Sequence, residues 1–272
     1  MDKALEALKK DLGHRYSLRT VDTYLRAFRS FLAYAEKPPF TRQHINGWLD
    51  RLIEQGQGKN SVRLAYYALR RGFKANGWPW PMDRMDVPPL PEDAEVSKPA
   101  MSEEDVRKLI LWARKQGGWE RAVIALSTVY ALRREELARI RPGDLDLAAR
   151  RFLVRTAKGG IQREHLVPQG LVPHLSIGGP LPKLTVSVLS TSFRMSCLRA
   201  GVMAEPGTGY HSIRRTVDTA LWDATKDQYL VWNFIRWKGR RGDMPRHYYA
   251  KEALEVDKQI FAVHPFLKVW LE

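Results

Sequence analysis

Three separated segments of the chain combine residue types that could act on an anionic substrate. They are residues 131–137, with the sequence ALRREEL, residues 210–215, YHSIRR, and residues 243–249, DMPRHYY. Arginine offers fork-shaped, permanently charged donors to anionic oxygens, and a tyrosine hydroxyl can act as a nucleophile. Taken singly, each segment also fits an ordinary structural role: a surface charge, a salt-bridged helix or a packed tyrosine pair.

The spacing within two of these segments limits what each can do. His211 and Arg214 are three residues apart, so on a helix they share one face. Tyr248 and Tyr249 are adjacent, and on residue type alone either could be the nucleophile.

The common signatures of cofactor and metal enzymes are missing from the sequence. It has no GxxxxGK[ST] loop, no Rossmann glycine fingerprint, no HExxH and no CxxC. Cys197 is the only cysteine, so no disulfide can form within the chain and a cysteine metal site is not expected. We therefore expect no metal and no cofactor, and ATP hydrolysis, hydride transfer and zinc chemistry lack support.

The charge balance points to a polyanionic partner. The 272 residues include 45 Lys and Arg against 30 Asp and Glu, a formal net charge of +15 that is spread along the chain. A folded domain this basic most often binds nucleic acid. An anionic membrane surface, a ribosomal partner or simple solubility are the alternatives.

Neither a leader nor a membrane span is indicated. Residues 1–10 alternate charge with Leu and Ala, unlike the core of a signal peptide. No run of about 18 apolar residues occurs. The sequence therefore predicts a cytoplasmic protein with no membrane partner.

Proline is concentrated between residues 79 and 99, together with an acidic cluster. Proline at this density cannot continue a helix or a central strand, so the segment predicts an extended linker. The predicted organisation is a small domain at residues 1–85, a Pro-rich linker at 86–100, a larger domain at 101–250 and a tail at 251–272. The apolar tail either packs on its own domain or docks on a neighbouring protomer.

The first domain is predicted to be a bundle of four or five helices. Ser17 can cap one of them, another follows Thr41, and a third begins near Asn60. On that third helix an apolar stripe is flanked by a column of cations and one aromatic ring, spaced at helical intervals. Such a face suits a phosphate backbone, although it also fits a solvated helix face. The candidate DNA-binding residues are Arg63, Tyr67, Arg70, Arg71 and Lys74.

The second domain is predicted to be mostly helical with a small sheet. Ser102 begins it with a pattern like a capping box, and apolar helical stretches follow at 106–113 and 121–132. Residues 151–168 form two short β-prone runs around Lys158-Gly159-Gly160, which predicts a hairpin. Helical patterns resume from about residue 185. The fold class is thus mainly α with a small β-hairpin or sheet (α+β).

The order and spacing of these motifs resemble the tyrosine recombinase (phage integrase) family. Residues 132–137 are similar to its first-arginine box, with Glu136 in the acidic position, and residues 157–168 to its lysine hairpin. His211 and Arg214 match its HxxR pair, and residues 244–248 its tyrosine box. The resemblance implies these catalytic residues: Arg133, Lys158, His211, Arg214, Trp237 and Tyr248.

The resemblance also implies an architecture and an activity. The first domain would be a helical, SAM-like core-binding domain and the second a mixed catalytic domain. The enzyme would recombine double-stranded DNA at specific sites, through a covalent 3′-phosphotyrosine and a Holliday junction, without metal or ATP. It would be a monomer in solution and a homotetramer on a two-site synapse, as in integrases of mobile elements. The sequence identifies neither the DNA target nor an accessory protein.

Two departures from the family pattern bear on the site. Ala131 stands where the family commonly has glycine, and the interval from Trp237 to Tyr248 is about two residues longer than usual. The register of the tyrosine box favours Tyr248 over Tyr249. A type IB topoisomerase and a non-catalytic, sequence-specific DNA-binding protein are the alternative functions.

Overall fold

The computed structural model describes residues 1–13, 15–83, 100–156, 162–237 and 252–272. The chain divides into two compact units, Met1–Val96 and Ser97–Glu272. The described part of the chain contains no helix long and apolar enough to cross a membrane.

The first unit is a helical bundle whose helix starts were predictable. The Ser17 hydroxyl accepts a hydrogen bond from the backbone N–H of Thr20, so the predicted cap is confirmed. The Thr41 hydroxyl accepts one from the backbone N–H of His44 and caps the helix that was predicted to follow it. The helices are α1 (Asp2–Gly13), α2 (Leu18–Ala35), α3 (Arg42–Glu54) and α4 (Lys59–Ala75).

An aromatic cluster fills the core of this unit. The Phe31 ring lies 5.2 Å from Phe40, 5.7 Å from Trp48 and 5.9 Å from Phe73, measured between ring centroids. Gly72 lets α4 approach α2 closely, because a Cβ at that position would collide with the Phe28 ring. The predicted apolar stripe on α4 is part of this core.

The second unit is built from helices around a core of apolar side chains. Ser102 accepts a hydrogen bond from the N–H of Asp105 and caps the first helix, as predicted. The helices are α5 (Glu103–Arg114), α6 (Gly118–Tyr130), α7 (Arg134–Leu137), α8 (Val172–Leu175), α9 (Val186–Arg199), α10 (Tyr210–Thr225), α11 (Gln228–Phe234), α12 (Ala253–Val263) and α13 (Pro265–Leu271).

A small antiparallel sheet lies between α7 and α8 in the chain. Its strands are β1 (Leu145–Asp146), β2 (Arg151–Val154) and β3 (Arg163–Leu166), in the order β1-β2-β3. Phe152 pairs with His165, and Val154 with Arg163. The mainly helical fold with a small sheet, predicted from the sequence, is confirmed.

The C-terminal tail packs on its own unit in this structure. Phe266 and Trp270 of α13 are fully buried, and the Trp270 indole N–H donates to the Thr128 hydroxyl of α6 at 2.9 Å. His264, between α12 and α13, bonds the backbone oxygen of Val129 at 2.9 Å. Docking of the tail on a neighbouring protomer stays a prediction.

Candidate active site

Arg133 is placed by the sharp turn that follows α6. The helix ends at Tyr130, and Ala131 adopts the left-handed conformation with φ of 52°. A side chain is strained in that region, which glycine occupies freely. The turn explains why a glycine would suit position 131, and it delivers Arg133 to the N-cap of α7 in extended conformation.

The carboxylate of Glu136 holds Arg133 in two ways. Its Oε1 accepts from Arg133 Nη1 at 2.8 Å, and its Oε2 accepts from the Arg133 backbone N–H at 2.9 Å. Burial of Glu136 raises its pKa, but the charge of Arg236, the Arg133 N–H and Arg214 outweigh burial, so the pKa is lowered. Glu136 is therefore ionised, while the Arg133 side chain keeps 26% of its surface exposed.

Arg214 is buried on α10 beside this turn. Its Nη1 donates to the Ala131 carbonyl at 2.6 Å, and its Nη2 donates to the Ile235 carbonyl at 2.7 Å. Burial, followed by Arg236 and Arg133, lowers its pKa to about 9, so the guanidinium stays charged at neutral pH. Each terminal nitrogen carries two hydrogens, so each retains one beyond these bonds for an anion.

His211 is close to Arg214 in sequence, and Trp237 is close to a residue that Arg214 binds. His211 is exposed in the first turn of α10, one turn before Arg214. Trp237 is 43% exposed, stacks on Trp232 at 6.0 Å and follows Ile235, whose carbonyl Arg214 holds, by two residues. The structure thus gathers Arg133 and Arg214 directly and brings the Trp237 segment to them.

The remaining two predicted catalytic residues, Lys158 and Tyr248, lie outside the described residues. The strands that flank Lys158 in the chain, β2 and β3, are paired as predicted. The first described helix after Tyr248 in the chain is α12, which begins at Ala253.

The site also contains a buried arginine, Arg236, to which none of the sequence motifs assigns a role. It is 1% exposed at φ of 59°, and its Nη2 donates to Glu136 Oε2 at 3.3 Å. The signal in the sequence was a lone arginine within the apolar run at 230–237. A charge in such a run must either reach solvent or find buried partners.

The candidate DNA-binding face of α4 divides into an exposed column and a paired arginine. Arg63, Tyr67, Arg70 and Lys74 are exposed. Arg71 instead forms an ion pair with Asp11 of α1, with its Nη2 3.0 Å from Asp11 Oδ1 and its Nε bonded to Oδ2. Arg71 therefore has a structural partner within the bundle.

The second unit carries a basic concave surface near the sheet. A cavity of about 570 Å³ is lined there by residues 138–142 and by residues of two neighbouring segments. Arg155 on its wall is paired with Asp144, Nη2 to Oδ1 at 2.9 Å. The cations of this surface are Arg139, Arg141, Arg155 and Lys183.

Comparison with known proteins finds similarity to a tyrosine recombinase over part of the chain. No protein-family model matches it. It is 28% identical over 159 residues to the tyrosine recombinase XerA of Pyrococcus furiosus, which covers 58% of this chain and 54% of that protein. The chain thus matches about half the length of this curated relative.

Solved structures share the fold over most of the chain. A lambda integrase fragment bound as a dimer to a core site superposes with a TM-score of 0.68, at 16% identity, covering 88% of this chain and 95% of that one. The XerH site-specific recombinase bound to its difH substrate gives 0.64 at 15% identity, covering 96% and 80%. At these identities the likeness establishes the fold.

Proposed function

We propose that this chain, which has the fold of the tyrosine recombinases and integrases, cuts and rejoins double-stranded DNA at specific sites. The observation that carries the proposal is the joint placement of Arg133 and Arg214. Arg214 is bonded to the turn two residues before Arg133, and both retain guanidinium hydrogens for an anion. Three arginines lie close to the carboxylate of Glu136, and Asp218 is a second acidic group near Arg214, so positive charge still exceeds negative charge at the site.

The proposed reaction needs no external energy source. The Tyr248 oxygen attacks the scissile phosphorus, forming a 3′-phosphotyrosine, while the bond to the 5′-oxygen breaks. His211 takes the tyrosine proton, and Lys158 supplies a proton to the leaving oxygen. The energy of the broken bond is kept in the phosphotyrosine, so the reverse attack by a 5′-hydroxyl on a partner strand rejoins the DNA, through a Holliday junction, without ATP.

The arginines act where charge develops. Negative charge grows on the non-bridging oxygens as the phosphorus becomes five-coordinate, and Arg133 and Arg214 donate to them from fixed positions. Their positions are fixed before substrate binds by Glu136 and by two backbone carbonyls. The Trp237 indole N–H is a further donor. Removing one such donor typically costs about 10²–10³ in rate.

We further propose that both units contact the duplex. Residues 1–85, the core-binding domain, would use the exposed column on α4, and the catalytic domain at 101–250 would use its basic concave surface, with 86–100 as the linker. Known lambda integrase structures include a dimer bound to a core site and a tetramer bound to a Holliday junction. A monomer that assembles into a tetramer on two DNA sites, in the cytoplasm and on nucleoid DNA, fits this comparison.

The test is a search for the covalent intermediate. Genomic DNA fragments are selected by binding to the protein itself, and the selected sites are incubated with wild type, Tyr248→Phe and Tyr249→Phe without magnesium. After quenching with SDS, protein–DNA adducts are counted and the modified residue is mapped by mass spectrometry. We expect adducts on Tyr248, present in Tyr249→Phe and lost in Tyr248→Phe.

The other outcomes separate the alternative functions. Adducts on Tyr249 keep the reaction and change the nucleophile. Adducts with relaxation of supercoils, but without products that join two sites, favour a type IB topoisomerase. Binding with no adduct, even on nicked sites that trap the intermediate, favours a non-catalytic DNA-binding protein and refutes the proposal.

A further inference from the structure

A buried chain of hydrogen-bonded polar side chains connects α12 to the turn at residues 131–133, which we call the arginine turn. Asp257 Oδ1 lies 3.1 Å from His165 Nδ1, and His165 Nε2 lies 2.9 Å from Arg236 Nη1. Arg236 Nη2 then reaches Glu136 Oε2 at 3.3 Å, and Glu136 holds Arg133. The first four of these residues are at most 2% exposed.

The donor and acceptor of each bond in this network are fixed by the protonation states of its members. Burial lowers the pKa of His165 to about 4, although Asp257 opposes the shift, so the imidazole is neutral. Arginine can only donate, so His165 Nε2 accepts from Arg236. The ring hydrogen is therefore on Nδ1, and it points at Asp257. Reversing any member would leave two donors or two acceptors facing each other.

Arg236 differs from Arg214 in having no terminal hydrogen left for DNA. Its Nη1 donates to His165 and to the Phe234 carbonyl, and its Nη2 donates to Glu136 and to the Tyr130 carbonyl. Four bonds use the four hydrogens of the two terminal nitrogens. The side chain is also fully buried. Arg236 therefore cannot serve as a phosphate ligand in this arrangement.

This arrangement is costly to build. The backbone at Arg236 is left-handed, a conformation that is strained in a residue with a Cβ. A buried ion pair often contributes little net stability compared with apolar packing of the same volume. Among the described residues Arg236 Nε also has no hydrogen-bond partner. Stability alone is therefore a weak reason for an arginine here.

Arg163 extends the same chain to a further segment of the site. Its Nη2 donates at 2.6 Å both to Asp257 Oδ1 and to the Ala253 carbonyl, at the start of α12. Arg163 opens β3, the first described strand after Lys158 in the sequence, and α12 is the first described helix after Tyr248. The polar chain thus links elements adjacent in sequence to the proposed acid and the proposed nucleophile.

We infer that Arg236 is a positioning residue, which fixes Glu136 and thereby the Arg133 guanidinium. Through the same bonds it holds the arginine turn in a fixed position relative to β3 and α12. The inference rests on the proposed function. It adds a residue that acts through others, since Arg236 itself touches no substrate atom.

The test compares DNA binding with DNA cleavage in Arg236→Gly. Glycine accepts the left-handed backbone, so this variant removes the guanidinium without adding strain. We expect the dissociation constant for a selected site to change less than about twofold, since no phosphate contact is lost. We expect single-turnover cleavage of a nicked site to slow by roughly tenfold to a hundredfold, less than the loss of an arginine donor itself.

A second substrate distinguishes positioning from general structural damage. In a methylphosphonate, a methyl group replaces one non-bridging oxygen of the scissile phosphate, so less negative charge develops and correctly placed arginines matter less. The deficit of Arg236→Gly relative to wild type should shrink at least severalfold on this substrate. An equal deficit on both substrates would overturn the inference, as would cleavage of the phosphodiester at the wild-type rate.

Two controls complete the design. Leu109→Ala removes a fully buried side chain of the same core, and it should lower the melting temperature while leaving the cleavage rate intact below that temperature. If Arg236→Gly does not fold, Arg236→Lys, which keeps the charge but has a single donor nitrogen, enters the same two-substrate comparison. Absence of any adduct in wild type would refute the proposed function, whereas adducts in wild type with unimpaired Arg236 variants refute this inference alone.

Discussion

Two buried histidines predict a loss of stability in mild acid. Burial lowers the pKa of His165 and of His264 to about 4 in each case. Their contacts require the neutral ring. A proton on His165 Nε2 would face Arg236, and a proton on His264 Nδ1 would displace the N–H of Leu267, which that nitrogen accepts at 3.2 Å.

The size of the effect follows from proton linkage. Below pH 6.5, the pKa of histidine in the unfolded chain, both histidines are protonated in the unfolded state but stay neutral in the folded state. The free energy of unfolding therefore falls as the pH drops from about 6.5 towards 4. With one pKa unit equal to about 1.4 kcal/mol, each histidine loses about 2 kcal/mol between about pH 7.5 and pH 5. Together they lower the melting temperature of a domain of this size by roughly 8–16 °C.

Scanning calorimetry measures this loss as the difference in stability of the same protein between about pH 7.5 and pH 5, for wild type and for each variant. His165→Gln and His264→Gln should each lower stability at pH 7.5 and also remove about half of the pH-dependent loss. Leu109→Ala, which keeps both histidines, should retain the whole of it. The reasoning fails if the glutamine variants keep the full pH dependence, or if wild type is equally stable at both pH values.

Three further predictions concern the site, the DNA-binding face and the tail. Glu136→Gln removes the carboxylate charge beside three arginines and should lower the free energy of unfolding, measured by chemical denaturation, by about 3–5 kcal/mol. Unchanged stability would mean that the arginines find other counterions. Arg63→Ser should weaken binding of a selected DNA site and reduce the slope of the logarithm of the binding constant against the logarithm of salt concentration by about 0.9, measured from low to moderate salt. Its control, Lys9→Ser on α1, should leave the slope unchanged. Trp270→Ala should cost about 3–5 kcal/mol by calorimetry, because it empties a buried site and leaves the Thr128 hydroxyl without its donor; a loss below 1 kcal/mol would mean that α13 contributes little to the fold.

The sequence predicted the local parts of this structure well because their causes are local. Ser17, Thr41 and Ser102 cap the helices that follow because each side chain satisfies an N–H three residues away. Strands β2 and β3 follow from the two short β-prone runs within residues 151–168. The place of Arg133 at the end of α6 follows in the same way from the end of an apolar helical pattern.

The buried polar chain could not be predicted, because its partners are far apart in sequence. His165 and Asp257 are separated by 92 positions, and Arg236 and Glu136 by 100. No helical or strand period relates such residues, and each alone resembles a solvated charge. Arg71 illustrates the same limit, since its partner Asp11 lies on another helix and 60 positions away.

The burial of α13 also bears on how copies of the chain could associate. The groove between α5 and α6 that receives Trp270 is filled by the chain's own end. A neighbouring copy's end would make the same contacts in that groove, so an exchange of ends would neither gain nor lose packing once both grooves were filled. Local concentration would then decide between the two arrangements. If two DNA sites held protomers side by side, as proposed above, they would raise that concentration by orders of magnitude over free solution. The same helix that completes a single protomer would thus become the link between protomers on DNA.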